Sequence, residues 1–168
     1  MLVILVSALL GMEEAKPSTA AGLAPEDLKP DPKDVWHIVS WDPAITTSKC
    51  IGDPVTPRCA LETFKACSAR LNMAFCETVI GREISLPERR VAVWYRITSM
   101  KVLSAKTARR DINPPEKPGD VHLLAQQRFC VEGKSPCPFP EVENSFYHLR
   151  QAQDRRWSIL GWYIGSGE

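Results

Sequence analysis

The stretch of residues 56–81 constrains the fold most, because it has a helical pattern and holds three of the chain's six cysteines. Thr56 is a favourable N-cap residue, and Pro57 suits the first position of a helix, where its missing N–H is not needed. Leu61 and Phe64 begin an apolar stripe at helical spacing. An apolar stripe of this kind predicts a helix that packs on a sheet.

The cysteines of this stretch limit how long the helix can be. Cys67 and Cys76 are separated on an unbroken helix by a rise of about 13 Å, whereas a disulfide bond needs Cα atoms within about 7 Å. On a continuous helix, Cys59, Cys67 and Cys76 would therefore each have to reach off the helix, to Cys50, Cys130 and Cys137. We expect an interruption near Asn72, because Asn is a weak helix former and a common C-cap. The predicted bonds are then Cys50–Cys59, Cys67–Cys76 and Cys130–Cys137.

The number and spacing of the cysteines favour disulfides. Six is an even number, no Cys-x-x-Cys occurs, and the spacings do not match those of zinc ligands. Several of the cysteines lie in polar, proline-rich segments, which disfavours the alternative of six free thiols in a cytosolic core. The chain is thus expected to occupy an oxidising compartment, and no metal or cofactor is expected.

The amino terminus favours export. Residues 2–10 form an apolar run that is too short to span a bilayer and that resembles the core of a secretory signal. Small residues at 18–20 suit cleavage after Ala20, although no basic residue precedes the run and Glu13 and Glu14 follow it. We predict a signal peptide at 1–20, an extended leader at 21–34 and a single α+β domain at 35–165, in a periplasmic or secreted protein.

Alternation of apolar and polar residues predicts the strands. A shift in that alternation near Thr98 and Ser99 indicates a β-bulge, and residues 153–156 are expected to form a tight hairpin. The fold class is α+β: an N-terminal helix, interrupted near Asn72, on a curved antiparallel sheet of about four strands, held by disulfides. The strand candidates are residues 35–41, 90–104, 120–131, 145–152 and 157–164.

The carboxy-terminal hairpin resembles a known group of folds. Residues 146–154 and then 156–162, with Trp157-Ser-Ile159, resemble the closing hairpin of the nuclear-transport-factor-like and cystatin-like group, and Arg155 stands where the group usually has Gly. Residues 95–97 resemble its first long strand, so the resemblance extends over about residues 57–164. It implies a conical pocket between helix and sheet, in which enzymes of the group place an Asp–His or Tyr–Asp pair. No such pair is matched here, and the Gln-x-Val-x-Gly of cystatin inhibitors is absent.

Candidate pocket residues are few. Tyr95 could line a hydrophobic cavity. His122 and His148 lie on the face opposite their apolar strand neighbours, so either could point into a pocket, with Glu62 or Glu77 of the helix as a carboxylate partner. Histidines in such places are more often surface or strand-edge residues. No nucleophile elbow, phosphate loop or zinc motif is present in the sequence.

Two functions are compatible with these features. The first is a non-catalytic exported module that binds a partner protein or its own copy through an open sheet face, with Trp157, Trp162 and Tyr163 as interface candidates. The second is a small-molecule carrier or a hydrolase- or isomerase-type enzyme that uses the helix–sheet pocket. Formal charge of +1 gives no reason to expect nucleic acid, and no stable membrane span is predicted. A filled interior with exposed aromatics favours the first function, and a deep cavity with a buried His or carboxylate favours the second.

Overall fold

Five strands run in an antiparallel meander with one face against a helix. The computed structural model describes residues 23–40, 42–70, 77, 90–131 and 142–165. Neighbouring strands are all antiparallel, in the order β1-β2-β3-β4-β5. The elements are a short 3-10 helix at Pro25–Leu28, then β1 (His37–Val39), α1 (Pro57–Arg70), β2 (Arg90–Val102), β3 (Val121–Val131), β4 (Glu143–Gln151) and β5 (Trp157–Gly165).

The helix begins where the sequence predicts. The Cys59 N–H donates to Thr56 Oγ1 at 3.1 Å, so Thr56 is the N-cap. Leu61 and Phe64 are buried in the core together with large side chains from every strand. The predicted interruption near Asn72 lies outside the described residues.

One of the three predicted disulfide bonds is confirmed. Cys50 and Cys59 are bonded, with their Cα atoms 5.5 Å apart, and the bond links the loop after β1 to the first turn of α1. Cys67 and Cys130 each take part in a disulfide bond as well. Cys76 and Cys137 lie outside the described residues, so the other two pairings stay predictions.

Two details of the predicted fold are wrong. The sheet has five strands instead of about four, because His37–Val39 pairs with Tyr95 to Val93 of β2. The helix is consequently not the first element, since β1 precedes it. The predicted bulge is confirmed by a register shift between Ile97 and Ser99.

The turn between β4 and β5 explains how arginine replaces the glycine of similar hairpins. Arg155 has a φ of 66°, in the left-handed region that usually favours Gly. The Ala152 N–H donates to the Arg156 carbonyl at 2.8 Å, and the Arg156 N–H donates to Asp154 Oδ1 at 3.1 Å. These bonds hold the turn, as the predicted hairpin at 153–156 requires.

The predicted domain boundary at residue 35 is too late. Leu23 packs against the hydrophobic core, and Asp31 bonds to β2 in the manner of an added strand. The Asp31 N–H donates to the Ile97 carbonyl at 2.7 Å, and the Ile97 N–H donates to Asp31 Oδ2 at 2.6 Å. The folded domain therefore begins no later than Leu23, while the predicted signal peptide lies outside the described residues.

Candidate functional site

On the helix side of the sheet, Tyr95 and Glu62 form a buried hydrogen-bonded pair, so Tyr95 does not line an open pocket. Tyr95 is fully buried and donates its hydroxyl hydrogen to Glu62, which also accepts a hydrogen bond from Ser48 Oγ. Burial, together with the negative charge of Glu62, raises the pKa of Tyr95 well above its ordinary value. Tyr95, a predicted pocket residue, is thus a neutral hydrogen-bond donor within the core.

Further along the same face, a second polar group fills the space between α1 and the sheet. Lys65 and Gln127 are both buried, and Lys65 Nζ donates to Gln127 Oε1. The Gln127 amide donates to Glu143 and to Ser145 Oγ, the latter at 3.0 Å. Lys65 Nζ also lies 5.1 Å from the centre of the Tyr147 ring. Charged and polar groups are paired here, as burial requires.

At the edge of the helix side, Asp31 forms a cluster with two basic side chains. Its carboxylate contacts His37 Nε2 and Arg58 NH2, each at 3.0 Å. Burial would raise the pKa of Asp31, but the hydrogen bonds from His37, Arg58 and the Ile97 amide lower it to about 2. This cluster fastens the N-terminal segment to the sheet.

The opposite side of the sheet carries the candidate functional site, which we call the outer patch: Lys101, His122, Phe146, His148 and Tyr163. Lys101 is opposite His122, which in turn is opposite His148, across three neighbouring strands. Phe146 is opposite Tyr163, and the two rings stack with centroids 4.8 Å apart. The patch thus combines aromatic rings with basic groups on four adjacent strands.

Gly165 at the end of β5 leaves room for the Phe146 ring. A Cβ atom at Gly165 would clash with the Phe146 ring, so only glycine permits the ring to lie over the end of the strand. At Gly161, beside His148, an added Cβ would meet nothing within 4 Å, so the surface there is open. Tyr163 is 63% exposed.

His148 is held by a buried carboxylate from the loop that precedes β3. Its Nε2 lies 2.7 Å from Asp120 Oδ2, and Arg150 Nε donates to Asp120 Oδ1 at 2.8 Å. Burial opposes ionisation of Asp120, but hydrogen bonds from Arg150, His148 and the Lys117 amide hold its pKa well below the ordinary value. The carboxylate stays charged while its oxygens face into the protein.

His122 has an equivalent arrangement one strand away. Its Nε2 lies 2.8 Å from Glu116 Oε1, and the second oxygen of Glu116 accepts the Arg109 N–H at 2.7 Å. Burial lowers the pKa of His122, the charge of Glu116 opposes this, and His148 lowers it further. The two imidazole rings are 5.2 Å apart, centre to centre.

The carboxylate partners predicted for these histidines were wrong. Glu62 bonds to Tyr95 and Ser48, and Glu77 is exposed. The actual partners, Glu116 and Asp120, lie in the loop between β2 and β3, and only the strand register brings them to the histidines. A polar, proline-rich loop gave no sequence signal for this placement.

The outer patch surrounds a shallow pocket of about 30 Å³, lined by its two histidines and two aromatic rings together with Tyr147. That volume holds about one or two water molecules. Within the described ranges, no group of three or more His, Cys, Asp or Glu side chains is placed to hold a metal ion. Direct contact with a larger partner suits this surface better than enclosure of a small molecule.

The three predicted interface aromatics have different environments. Trp157 is fully buried, so it belongs to the core and its assignment to an interface was wrong. Trp162 is partly buried against Phe64 of α1, with ring centroids 5.1 Å apart, on the helix side. Tyr163 alone of the three is on the open side, as part of the outer patch.

Comparison with protein-family models, curated proteins and solved structures finds no match for this chain. Among the described residues, no helix is long and apolar enough to cross a membrane.

Proposed function

We propose that this protein is an exported, non-catalytic binding module that binds an acidic partner protein through the outer patch. The observation that carries the proposal is the stacked pair of half-buried Phe146 and exposed Tyr163 beside two imidazoles and Lys101, on a sheet face that α1 does not cover. Aromatic residues on an exposed sheet face commonly anchor protein interfaces, where they contribute large contact area.

The charges on this face favour an acidic partner. Both carboxylates near the patch, Glu116 and Asp120, are buried and bound to basic groups. Lys101 is exposed, and no carboxylate within the described part of the chain lies within ion-pair distance of it. The described part of this surface therefore carries basic and aromatic groups, with the carboxylates of Glu116 and Asp120 buried, and complementary charge promotes association.

The same sheet face is basic beyond the outer patch. The guanidinium groups of Arg96 and Arg128 both lie over the Trp36 ring, at 4.9 and 4.5 Å from its centre. Arg96 Nε also donates to Gln126 at 2.7 Å. An acidic segment of the partner that extends from the outer patch along β2 and β3 would therefore meet the positive charges of Arg96 and Arg128.

Export and fold ancestry are parts of this proposal. The Cys50–Cys59 bond supports an oxidising compartment, where such bonds persist. A helix on one side of an antiparallel meander that ends in a Trp157-x-Ile159 hairpin supports a relationship to the nuclear-transport-factor-like and cystatin-like group.

Affinity capture from the exported proteins of the native cell tests the function. Immobilised wild-type protein should retain a partner, Tyr163→Ala should lose most of it, and Ile45→Ala should retain it. Ile45 is a matched control, because it is an exposed apolar residue in a loop. Equal retention by both variants would contradict a role for the outer patch.

A second candidate function rests on the His148–Asp120 pair. An imidazole held at 2.7 Å by an ionised, buried carboxylate beside an open pocket is an arrangement found in general acid–base catalysis. A hydrolase or isomerase would lose turnover in His148→Gln and keep it in Tyr163→Ala. The binding module would lose most of its partner retention in Tyr163→Ala, a variant in which the hydrolase or isomerase keeps its turnover.

A further inference from the structure

The far edge of the sheet lacks the features that usually protect an edge strand. Among the described residues, β4 is the only strand paired with β5, and Trp157–Gly165 contains no charged residue and no proline. The opposite edge, β1, is only three residues long. Natural sheets protect exposed edges with charges, prolines or short strands, because unpaired edges invite other strands.

The first part of β5 is covered, and the last part is open. The Trp157 N–H donates to the Pro54 carbonyl at 2.7 Å, so the loop before α1 covers the start of this edge. Towards its end, Tyr163 is 63% exposed and Ile164 is 68% exposed. These two side chains lie on opposite sides of the sheet, since successive strand residues alternate.

The sequence of this open end is complementary to itself. Residues 161–165 read Gly-Trp-Tyr-Ile-Gly, with a glycine at each end and an apolar residue on each side of Tyr163. Antiparallel pairing of two such strands about Tyr163 places Trp162 opposite Ile164 of the second copy and glycine opposite glycine. Aromatic residues facing β-branched residues are favourable cross-strand pairs, and a strand without charges meets its own copy without repulsion.

We infer that two copies of this chain associate edge to edge through the ends of their β5 strands. The two five-stranded sheets would then form one continuous antiparallel sheet around a two-fold axis that passes beside Tyr163. Because that axis is perpendicular to the sheet, both outer patches face the same side. This inference concerns the strand edge and not the sheet face, and Tyr163 is the one residue that it shares with the outer patch.

Sedimentation equilibrium of the purified full chain tests the dimer. Wild-type protein should be dimeric at micromolar concentrations, and Ile164→Lys should be monomeric, because it places a charge next to its own copy. Ile45→Lys makes the same change at an exposed loop position and should remain dimeric. Circular dichroism spectra and thermal melts show whether each variant is folded, and Tyr163→Arg provides a second charged substitution at the edge.

A monomeric wild-type protein, or an unchanged dimer in both Ile164→Lys and Tyr163→Arg, would overturn this inference. Ile164 is on the helix side, so Ile164→Lys leaves the outer patch intact. If Ile164→Lys still captures the partner, the proposed role of the outer patch is supported, whether or not the wild-type protein is a dimer. Loss of capture in Tyr163→Ala with Ile45→Ala unchanged remains the separate test of the proposed function.

Discussion

At the scale of single residues, Asp31 does what a strand residue would do at the edge of β2. It exchanges two hydrogen bonds with the backbone of Ile97, directly before the bulge, and binds His37 and Arg58. The sequence around it is rich in proline and charge and predicted an extended leader. A side chain that bonds to a strand edge leaves no periodic pattern in the sequence. Residues 21–34 were therefore predicted to be a leader and not part of the domain.

Replacing Asp31 by Asn tests this contact. The pKa of Asp31 is lowered to about 2, and the unfolded value is about 3.9, so ionised Asp31 contributes stability that is complete above about pH 4 and is lost as the pH falls through 2. We expect Asp31→Asn to lower the free energy of unfolding at pH 7 by about 1 to 2 kcal/mol. Urea unfolding between pH 7 and pH 2 should show the difference shrinking.

Asp34→Asn is the matched control for that measurement, because Asp34 is exposed and close in sequence. It should match wild type at each pH. A constant difference between Asp31→Asn and wild type down to pH 2 would mean that the effect does not come from the carboxylate charge.

At the scale of the elements, a register shift in β5 decides which aromatic faces which side. Leu149 is opposite Ile159 and His148 is opposite Gly161, so Leu160 is an extra residue in β5. A bulge reverses the alternation, and this places Trp157 and Trp162, which are five positions apart, on the same side. The strand was predictable from its residues, whereas the bulge depends on pairing with β4 and was not.

Two alanine substitutions on β5 separate the sides. Trp162→Ala should lower the free energy of unfolding by about 2 to 4 kcal/mol, because it leaves a cavity against Phe64. Tyr163→Ala should cost less than about 1 kcal/mol, because its ring is mostly exposed and loses only the stack on Phe146. Chemical unfolding measures both, and a larger cost for Tyr163→Ala would contradict the assigned faces.

The N-cap of α1 allows a further test at this scale. Thr56→Ala removes the acceptor of the Cys59 N–H bond and should lower the free energy of unfolding by about 1 kcal/mol. Thr56→Ser keeps the hydroxyl and should restore most of that loss. If both variants are equally destabilised, the methyl group and not the cap would be responsible.

At the scale of the whole molecule, local and non-local features differ in how well they can be predicted. The helix start, the long strands, the bulge near Ser99 and the 153–156 turn follow from residues that are neighbours in sequence. Pairing of three-residue β1 with β2, and of Glu116 and Asp120 with the histidines, depends on contacts between distant parts of the chain. The fold class was therefore predictable. His122, His148 and Tyr163 were predicted as single candidates, but their assembly into the outer patch was not.

The Cys50–Cys59 bond is expected to stabilise the whole domain, since it joins the loop after β1 to α1. From the length of the loop that it closes, the chain-entropy model gives about 2.5 kcal/mol. The double variant Cys50→Ser, Cys59→Ser should therefore lose about that free energy of unfolding and melt at a lower temperature. If the double variant, with its remaining cysteines oxidised, melts at the wild-type temperature, packing alone would hold this loop.

The binding of an acidic partner by the outer patch is the central claim, and charge reversal tests it most directly. The partner retained by capture is titrated against wild type, Lys101→Glu and the matched control Lys106→Glu, which changes an exposed lysine in the loop after β2. We predict that Lys101→Glu weakens binding by ~10-fold at low salt and by less at high salt, because screening reduces the contribution of exposed charges. Lys106→Glu should bind like wild type, and equal affinities for all three proteins at low salt would contradict the claim.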